Sequence, residues 1–200
     1  MTMQFSLFGA AAAPPSLADL EGVLLAGGQW VRSATGARLS VVVADRWRAD
    51  ALATAFAERG IAAMPAATAG VPGSDAIVVA EDGFGVRTDF SSELTALASR
   101  WTRGANQSPP DDVVLTPGGL RLWAIASGRP DDVGYLLGTA SPDDALHVAG
   151  GAQLSRLGVA AASIARGGPG WRITSLKRIR RLVELIGEPP AGGEDAWPVH

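Results

Sequence analysis

The spacing of apolar positions changes repeatedly along the chain, from three or four residues to an alternation of two. From Ser16 to Gly28, the residues Leu17, Leu20 and Val23 fall on one side of a helix that Ser16 can cap. The first half is thus predicted to contain helices at 16–28, 45–59 and 91–103, and strands at 29–32, 38–44, 61–66 and 76–88.

The second half repeats this order of elements. Its predicted helices are 119–127, 152–157 and 175–186, and its predicted strands are 133–138, 145–148, 159–164 and 170–174. Each half reads as helix, two strands, helix, two strands, helix, and the stretch 58–63 resembles 156–161 in sequence. The order predicts an α+β fold made of two αββαββ(α) repeats with pseudo-two-fold symmetry.

Three segments lie outside the repeats, which we assign to residues 16–104 and 119–187. Residues 1–15 end in four alanines and two prolines, a composition typical of a flexible leader. Residues 105–118 contain Pro109-Pro110 and are predicted to be a linker. The tail, 188–200, is rich in Pro, Gly and acidic residues and is predicted to be disordered, with Trp197 as an anchor for a partner.

A short signature occurs in the first helix of each repeat. Residues 20–30 read Leu-Glu-Gly-Val-Leu-Leu-Ala-Gly-Gly-Gln-Trp, and residues 120–128 repeat the pattern 100 positions later. This resembles the signature helix of the LAGLIDADG homing endonucleases, in which small residues let two such helices pack closely at the pseudo-two-fold axis. The resemblance extends from Ser16 to Gly187 and implies the single-chain form of that fold.

The sequence departs from this family where the family binds its metal. There the acidic residue before the last glycine of the motif holds a divalent cation, and here those positions are Gly27 and Ser127. The resemblance therefore implies a scaffold with no metal, no cofactor and no nuclease activity. Asp131 and Asp132 come soon after, but the stretch 129–132 favours a turn over a rescued metal site.

Composition limits the other classes of function. The chain is 47% hydrophobic, enough to bury a sizeable core, and it carries a net charge of −3, which argues against a protein that grips nucleic acid over a large surface. With no cysteine and only two histidines, His147 and His200, it offers little for a thiol or histidine site. His147 is predicted to lie semi-buried in an apolar strand. We find neither a signal peptide nor a membrane span and expect a cytoplasmic, nucleoid- or replisome-associated protein.

Positive charge concentrates in the last predicted helix. The cations along one side of this helix form the solvated face of an amphipathic helix or, alternatively, contact the phosphates of DNA. If the sheets form a DNA saddle, as in the nucleases that the chain resembles, arginines on the strands become better candidates, and the face that each occupies depends on the strand register. The candidate DNA contacts are Arg32, Arg38, Arg87, Arg172, Lys177, Arg178, Arg180 and Arg181.

The N-terminus carries a second resemblance. The residues Gln4-Phe5-Ser6-Leu7-Phe8 resemble the peptide with which bacterial replication and repair proteins bind the sliding clamp, the beta subunit of the DNA polymerase. Leu7 and Phe8 would fill apolar pockets, with Phe5 as a partial anchor and Gln4 fixing the register. Alternatively, the segment is a terminal strand that covers the protein's own core.

These observations favour a non-catalytic accessory protein that is bound to the sliding clamp and acts in DNA replication, repair or damage tolerance, with or without contact to double-stranded DNA. We expect it to be a monomer by itself. Two alternatives use the same scaffold: a metal-dependent endonuclease with unrecognised ligands, and a DNA-binding regulator that does not need the clamp.

Overall fold

The computed structural model describes residues 9–67, 83–140, 145–165 and 168–199. The first repeat comprises α1 (Leu20–Leu25), β1 (Gln29–Ser33), β2 (Gly36–Val43), α2 (Arg46–Ala57), β3 (Ala63–Ala67), β4 (Phe84–Thr88) and α3 (Thr95–Arg100). A short hairpin follows, formed by β5 (Thr102–Arg103) and β6 (Asn106–Gln107). The second repeat comprises α4 (Pro117–Ser127), β7 (Gly128–Asp131), β8 (Gly134–Gly138), α5 (Ala145–Arg156), β9 (Ala162–Ile164), β10 (Gly170–Ile173) and α6 (Leu176–Ile186). The α+β class with two αββαββα repeats is confirmed.

Each repeat contains one four-stranded antiparallel sheet, with strand order β1-β2-β4-β3 in the first and β7-β8-β10-β9 in the second. The two registers match position by position. Ser40 pairs with Gln29 and Arg87, and at the same point of the second sheet Leu136 pairs with Arg129 and Arg172. The duplication inferred from the order of elements is therefore present in the strand pairing itself.

The helices cover one face of the two sheets, here called the inner face. Side chains alternate between the faces of a strand, and the side chains of β2 and β8 that belong to the hydrophobic core point to the helices. They include Leu39 and Val41 on β2, and Tyr135 and Leu137 on β8. Burial raises the pKa of the Tyr135 hydroxyl, which donates to the Ala196 carbonyl at 3.2 Å.

Within the described ranges, no helix is long and apolar enough to cross a bilayer.

Helices α1 and α4 pack against each other with almost no space between their backbones. A Cβ atom at Gly22 would lie 1.7 Å from the carbonyl oxygen of Gly119. A Cβ at Gly118 would come within 2.7 Å of the Asp19 carboxylate. Gly22 of the first signature therefore has the role that the resemblance implies, and on the second helix its partner is Gly119, just before the second signature.

Gly22→Ala is expected to destabilise the protein by about 3 kcal/mol, because the added methyl group cannot be accommodated without separating the two helices. Gly60→Ala is a matched control, since a Cβ there meets nothing within 4 Å and its cost comes only from a φ of +76°, about 1 kcal/mol. Chemical denaturation measures both. Equal losses for the two variants would contradict the close contact between α1 and α4.

Asp19 is a buried carboxylate at the meeting point of α1, α2 and α4. The Arg59 guanidinium donates to its Oδ2 from Nη2 at 2.6 Å, and the Thr116 hydroxyl donates to Oδ1 at 2.6 Å. Thr116 also caps α4 by accepting from the Gly119 amide at 2.8 Å. The Asp19 and Arg59 side chains are only 7% and 6% exposed. The Thr116 hydrogen bond connects this ion pair of the first repeat to the start of the central helix of the second.

Arg48 joins the two repeats at the other end of α4. Its side chain is 7% exposed and donates to the carbonyl oxygens of Ile125 and Gly128, each at 2.7 Å. Its Nε atom donates to the Asp45 carboxylate at 2.7 Å. The last carbonyls of a helix have no partners within the helix and attract a positive charge. A side chain of the first repeat thus satisfies the C-terminus of α4.

The predicted strand at 145–148 is wrong. Residues 145–156 form one helix, α5, which also includes the predicted short helix at 152–157. His147 therefore lies on a helix, fully buried, with Nδ1 3.1 Å from the Thr139 hydroxyl and Nε2 2.8 Å from the Ser163 hydroxyl. Its ring stacks on Trp171 at 4.4 Å. These contacts give it a structural role within the second repeat.

The stretch 129–132, predicted to be a turn, contains most of strand β7. Pro130 is compatible with a strand here because β7 lies at the edge of its sheet, where a missing N–H costs little. The predicted linker is also more ordered than expected. Gln107 donates to the Gly28 carbonyl at 2.7 Å and accepts from the Trp30 amide at 3.0 Å, which fixes β6 along the free edge of β1.

The prediction of a disordered tail is wrong for residues 188–199. Trp197 is buried, donates to the Gly187 carbonyl at 2.7 Å and lies 5.3 Å beneath the Arg121 guanidinium. Arg121 also donates to the Ile186 and Glu188 carbonyl oxygens, and burial lowers its pKa. Trp197 is therefore an anchor for the protein's own C-terminus and is not available to a partner.

The leader is attached to the body closer to the N-terminus than expected. Gly9 is buried, and the single helical turn Ala10–Ala12 contacts α4 and α6. The prediction of a flexible linker is thus wrong for residues 9–12. The residues predicted to bind the clamp, Gln4, Phe5, Leu7 and Phe8, lie outside the described residues.

Candidate nucleic-acid interface

The strand register decides which predicted arginines share a surface. The face of the sheets away from the helices, here called the outer face, carries Arg38, Arg87 and Arg172. Arg32 pairs with Ala37, a core residue, and so lies on the inner face at the edge of the sheet. There it lines an open polar cavity with Gln29, Trp30 and Gln107. It does not join the other three strand arginines.

In the first sheet, Arg38 and Arg87 present positive charge without a counterion among the described residues. Arg87 is exposed, between the buried Ser40 and the exposed Met64 on the neighbouring strands. The Arg38 guanidinium lies 4.8 Å over the ring of Phe90. The Arg38 Nε and Ser40 Oγ atoms are buried and have no hydrogen-bond partner within the described protein.

In the second sheet, two arginines and one carboxylate occupy the outer face. Arg129 and Arg172 flank Leu136, and Arg172 Nε donates to Asp131 Oδ2 at 2.5 Å. Sequence reasoning missed Arg129 because Pro130 beside it suggested a turn. The recurrence of the signature 100 positions later could have identified Arg129, since Gln29 occupies the same place in the first sheet.

Helix α6 places its cations elsewhere. Ile179, Leu182 and Ile186 are buried in the core, and α6 packs on α4, so the helix belongs to the layer behind the sheets. Arg181 pairs with Glu184 at 3.2 Å. The other three cations are exposed and have no ion pair within the described residues: Lys177, Arg178 and Arg180. Apart from Arg32, the candidates from sequence therefore separate into an outer-face group on the sheets and an α6 group on the helical layer behind them.

Gly27 and Ser127 occupy equivalent places, each two residues before the Gln29 or Arg129 position of its sheet. Gly27 has a φ of +108°, a conformation in which an aspartate would be strained. The Ser127 hydroxyl donates to the Gly138 carbonyl at 3.0 Å. The polar groups that line a cavity beside Gly27 are the side-chain amides of Gln29, Asn106 and Gln107 and the hydroxyl of Ser108. In the described part of the chain, no three acidic or histidine side chains come together as a metal site.

Comparisons with known proteins agree with this architecture. The homing endonuclease I-WcaI, solved bound to its DNA recognition sequence, matches 99% of this chain and 90% of its own, with a TM-score of 0.60 and 11% sequence identity. I-DmoI, solved in complex with DNA and Mn, matches 86% of this chain and 98% of its own, with a TM-score of 0.42 and 14% identity. No protein-family model and no curated protein matches the sequence. The likeness to I-WcaI shows that this chain has the LAGLIDADG homing-endonuclease fold.

Proposed function

We propose that this protein binds double-stranded DNA on the outer face of its two sheets and does not cleave it. The observation that carries this proposal is the charge of that face. Its described strand positions hold four arginines, Arg38, Arg87, Arg129 and Arg172, and one acidic residue, Asp131, in a chain whose net charge is −3. A protein of the same fold, I-WcaI, was solved bound to DNA.

The chemistry of this face suits contact with the phosphate backbone. Guanidinium groups bind phosphate oxygens through paired N–H donors. Such contacts position a protein on the duplex and release counterions, so that affinity falls steeply with salt. Direct reading of bases would need further polar side chains on the same face. The absence of cleavage is proposed because Gly27 and Ser127 replace the metal-binding acids of the signature.

The test is the double variant Arg38→Ala, Arg87→Ala, with Arg178→Ala, Arg180→Ala as the matched control on α6. We expect the first to weaken duplex binding and to reduce the slope of log affinity against log salt by about two, at roughly 0.9 for each phosphate contact. The control should retain the wild-type slope. Fluorescence anisotropy with a labelled duplex measures both, and a circular dichroism melt checks folding.

Two findings would contradict the proposal, and a third would favour a different role for the bound duplex. Equal losses in both double variants would show that α6, and not the outer face, contacts the phosphates. Duplex cleavage in Mg²⁺ or Mn²⁺ that disappears with Asp131→Ala or Asp132→Ala would favour the endonuclease. Tight duplex binding that needs no clamp would instead favour the DNA-binding regulator.

A second function, binding of the bacterial sliding clamp, is favoured by the N-terminal sequence. Gln4, Leu7 and Phe8 have the residue types and spacing of the clamp-binding peptide. A role in replication, repair or damage tolerance would follow from it, because the clamp would hold the outer face near DNA and raise its effective concentration. A pull-down with purified clamp tests this interaction, using the full-length chain and one that starts at Ala10. Equal capture of both would exclude the peptide as the binding element.

A further inference from the structure

The two outer faces differ at one pair of equivalent residues, Arg87 and Arg172. Both occupy the third strand of their sheets in the same register. Arg87 is exposed and has no ion pair within the described ranges. Arg172 is bound by Asp131, and the two side chains are only 32% and 16% exposed. The same position therefore offers an unpaired cation in one half and a neutralised cation in the other.

A glycine makes this ion pair geometrically accessible. Asp131 lies on β7 and Arg172 on β10, with β8 between them, and the β8 residue opposite Asp131 is Gly134. Having no side chain, Gly134 leaves the surface open between the two charged groups. A Cβ there would lie 2.1 Å from the Ile173 carbonyl oxygen, so the site accepts only glycine without rearrangement. In the first sheet Arg38 stands in the place of Gly134, and Val31 stands in the place of Asp131.

We infer that Asp131 is an intramolecular substitute for a DNA phosphate and sets the affinity of the second repeat for the duplex. This inference rests on the proposed function. The carboxylate occupies the Nε edge of the guanidinium with a charge-assisted hydrogen bond, the same kind of contact that a phosphate oxygen makes. A phosphate that approaches Arg172 must displace this carboxylate or share the guanidinium with a like charge. The first repeat therefore contributes more to binding than the second.

The test removes the charge of Asp131 and compares it with a neighbour. Asp131→Asn keeps the size of the side chain, and Asp131→Val installs the residue of the first repeat. We expect both to tighten duplex binding about fivefold at low salt and to steepen the salt slope by about 0.9, because one more phosphate contact forms. Asp132→Asn is the matched control, since it changes the net charge equally but Asp132 is exposed and takes no part in the Arg172 ion pair.

A double variant tests whether the effect of Asp131 on duplex binding acts through Arg172. Adding Arg172→Ala to Asp131→Val should return the affinity and slope to wild-type values, whereas Arg172→Ala alone should change them little. Unchanged or weaker binding by Asp131→Asn, with wild-type thermal unfolding, would overturn the inference while leaving the proposed function standing. Equal gains for Asp131→Asn and Asp132→Asn would also overturn it, since net charge alone would then be the cause. A wild-type chain that binds no duplex at low salt would end the proposed function, and this inference with it.

Discussion

Asp19→Ala is expected to lower the free energy of unfolding by about 3–5 kcal/mol, the cost of removing one partner of a buried ion pair. The variant leaves the Arg59 guanidinium buried, with the Ala55 carbonyl as its remaining hydrogen-bond acceptor. It also takes away the acceptor of the Thr116 hydroxyl and of the Ser16 amide. Equilibrium denaturation in urea measures the loss.

Asp50→Ala is the control for this variant. Asp50 pairs with Arg46 at 3.0 Å, but the two side chains are 51% and 68% exposed. A solvated pair four residues apart on a helix contributes only about 0.3–0.5 kcal/mol. If Asp19→Ala cost no more than Asp50→Ala, the Asp19 carboxylate would be replaceable by water, and its role in joining α1, α2 and α4 would be refuted.

The double variant Leu7→Ala, Phe8→Ala is expected to abolish binding to the sliding clamp. Each side chain would be an anchor in an apolar pocket, and the loss of such an anchor costs about 2 kcal/mol or more. Together they would weaken a micromolar complex roughly a thousandfold, beyond the range of most assays. Surface plasmon resonance on immobilised clamp measures the interaction, and Ser6→Ala provides a control within the same peptide.

Thermal unfolding separates the two interpretations of the N-terminus. A clamp-binding peptide contributes nothing to the core, so the Leu7→Ala, Phe8→Ala variant should melt at the wild-type temperature. A drop of several degrees would mean that the segment covers the protein's own core, as the alternative interpretation holds. Retained clamp binding with an unchanged melt would contradict both.

The sequence was most informative where local pattern and tertiary packing agree. The apolar run from Arg38 to Ala44, and the spacing of Ile179, Leu182 and Ile186, predicted a strand and a helix that the structure confirms. Gly22 of the first signature likewise marked the contact between the two central helices. In α6 the period of apolar residues coincides with the buried face, so the pattern alone is sufficient.

Helix α5 could not be predicted in the same way, because its glycines are required by contacts with residues that are distant in the sequence. Gly150 and Gly151 lie between the predicted strand at 145–148 and the predicted helix at 152–157, and they lower the helix propensity there. A Cβ at Gly150 would lie 2.8 Å from the Trp123 ring, and one at Gly151 would lie 2.3 Å from the Trp171 ring. Two tryptophans distant in sequence thus explain both residues, and no local rule contains that information.

The candidate surface was predicted in part for a related reason. The strand register could not be predicted from the sequence, and only the register separates Arg38 and Arg87 from Arg32. Likewise, the ion pair between Asp131 and Arg172 joins residues that are 41 positions apart in the sequence. It depends on strand β7, where Pro130 led to the prediction of a turn. Long-range pairing, and not residue type, decides which charges face the same way.

The contact made by Arg48 implies that the two halves are no longer interchangeable. At the C-terminal end of α1, the Gly27 and Gly28 amides donate to the Leu24 and Val23 carbonyls. At the C-terminal end of α4, the donor is the Arg48 guanidinium of the first repeat. Within α5, the only arginine is Arg156, at the last position. A tandem copy of the second half would therefore bury helix carbonyls with no donor to meet them.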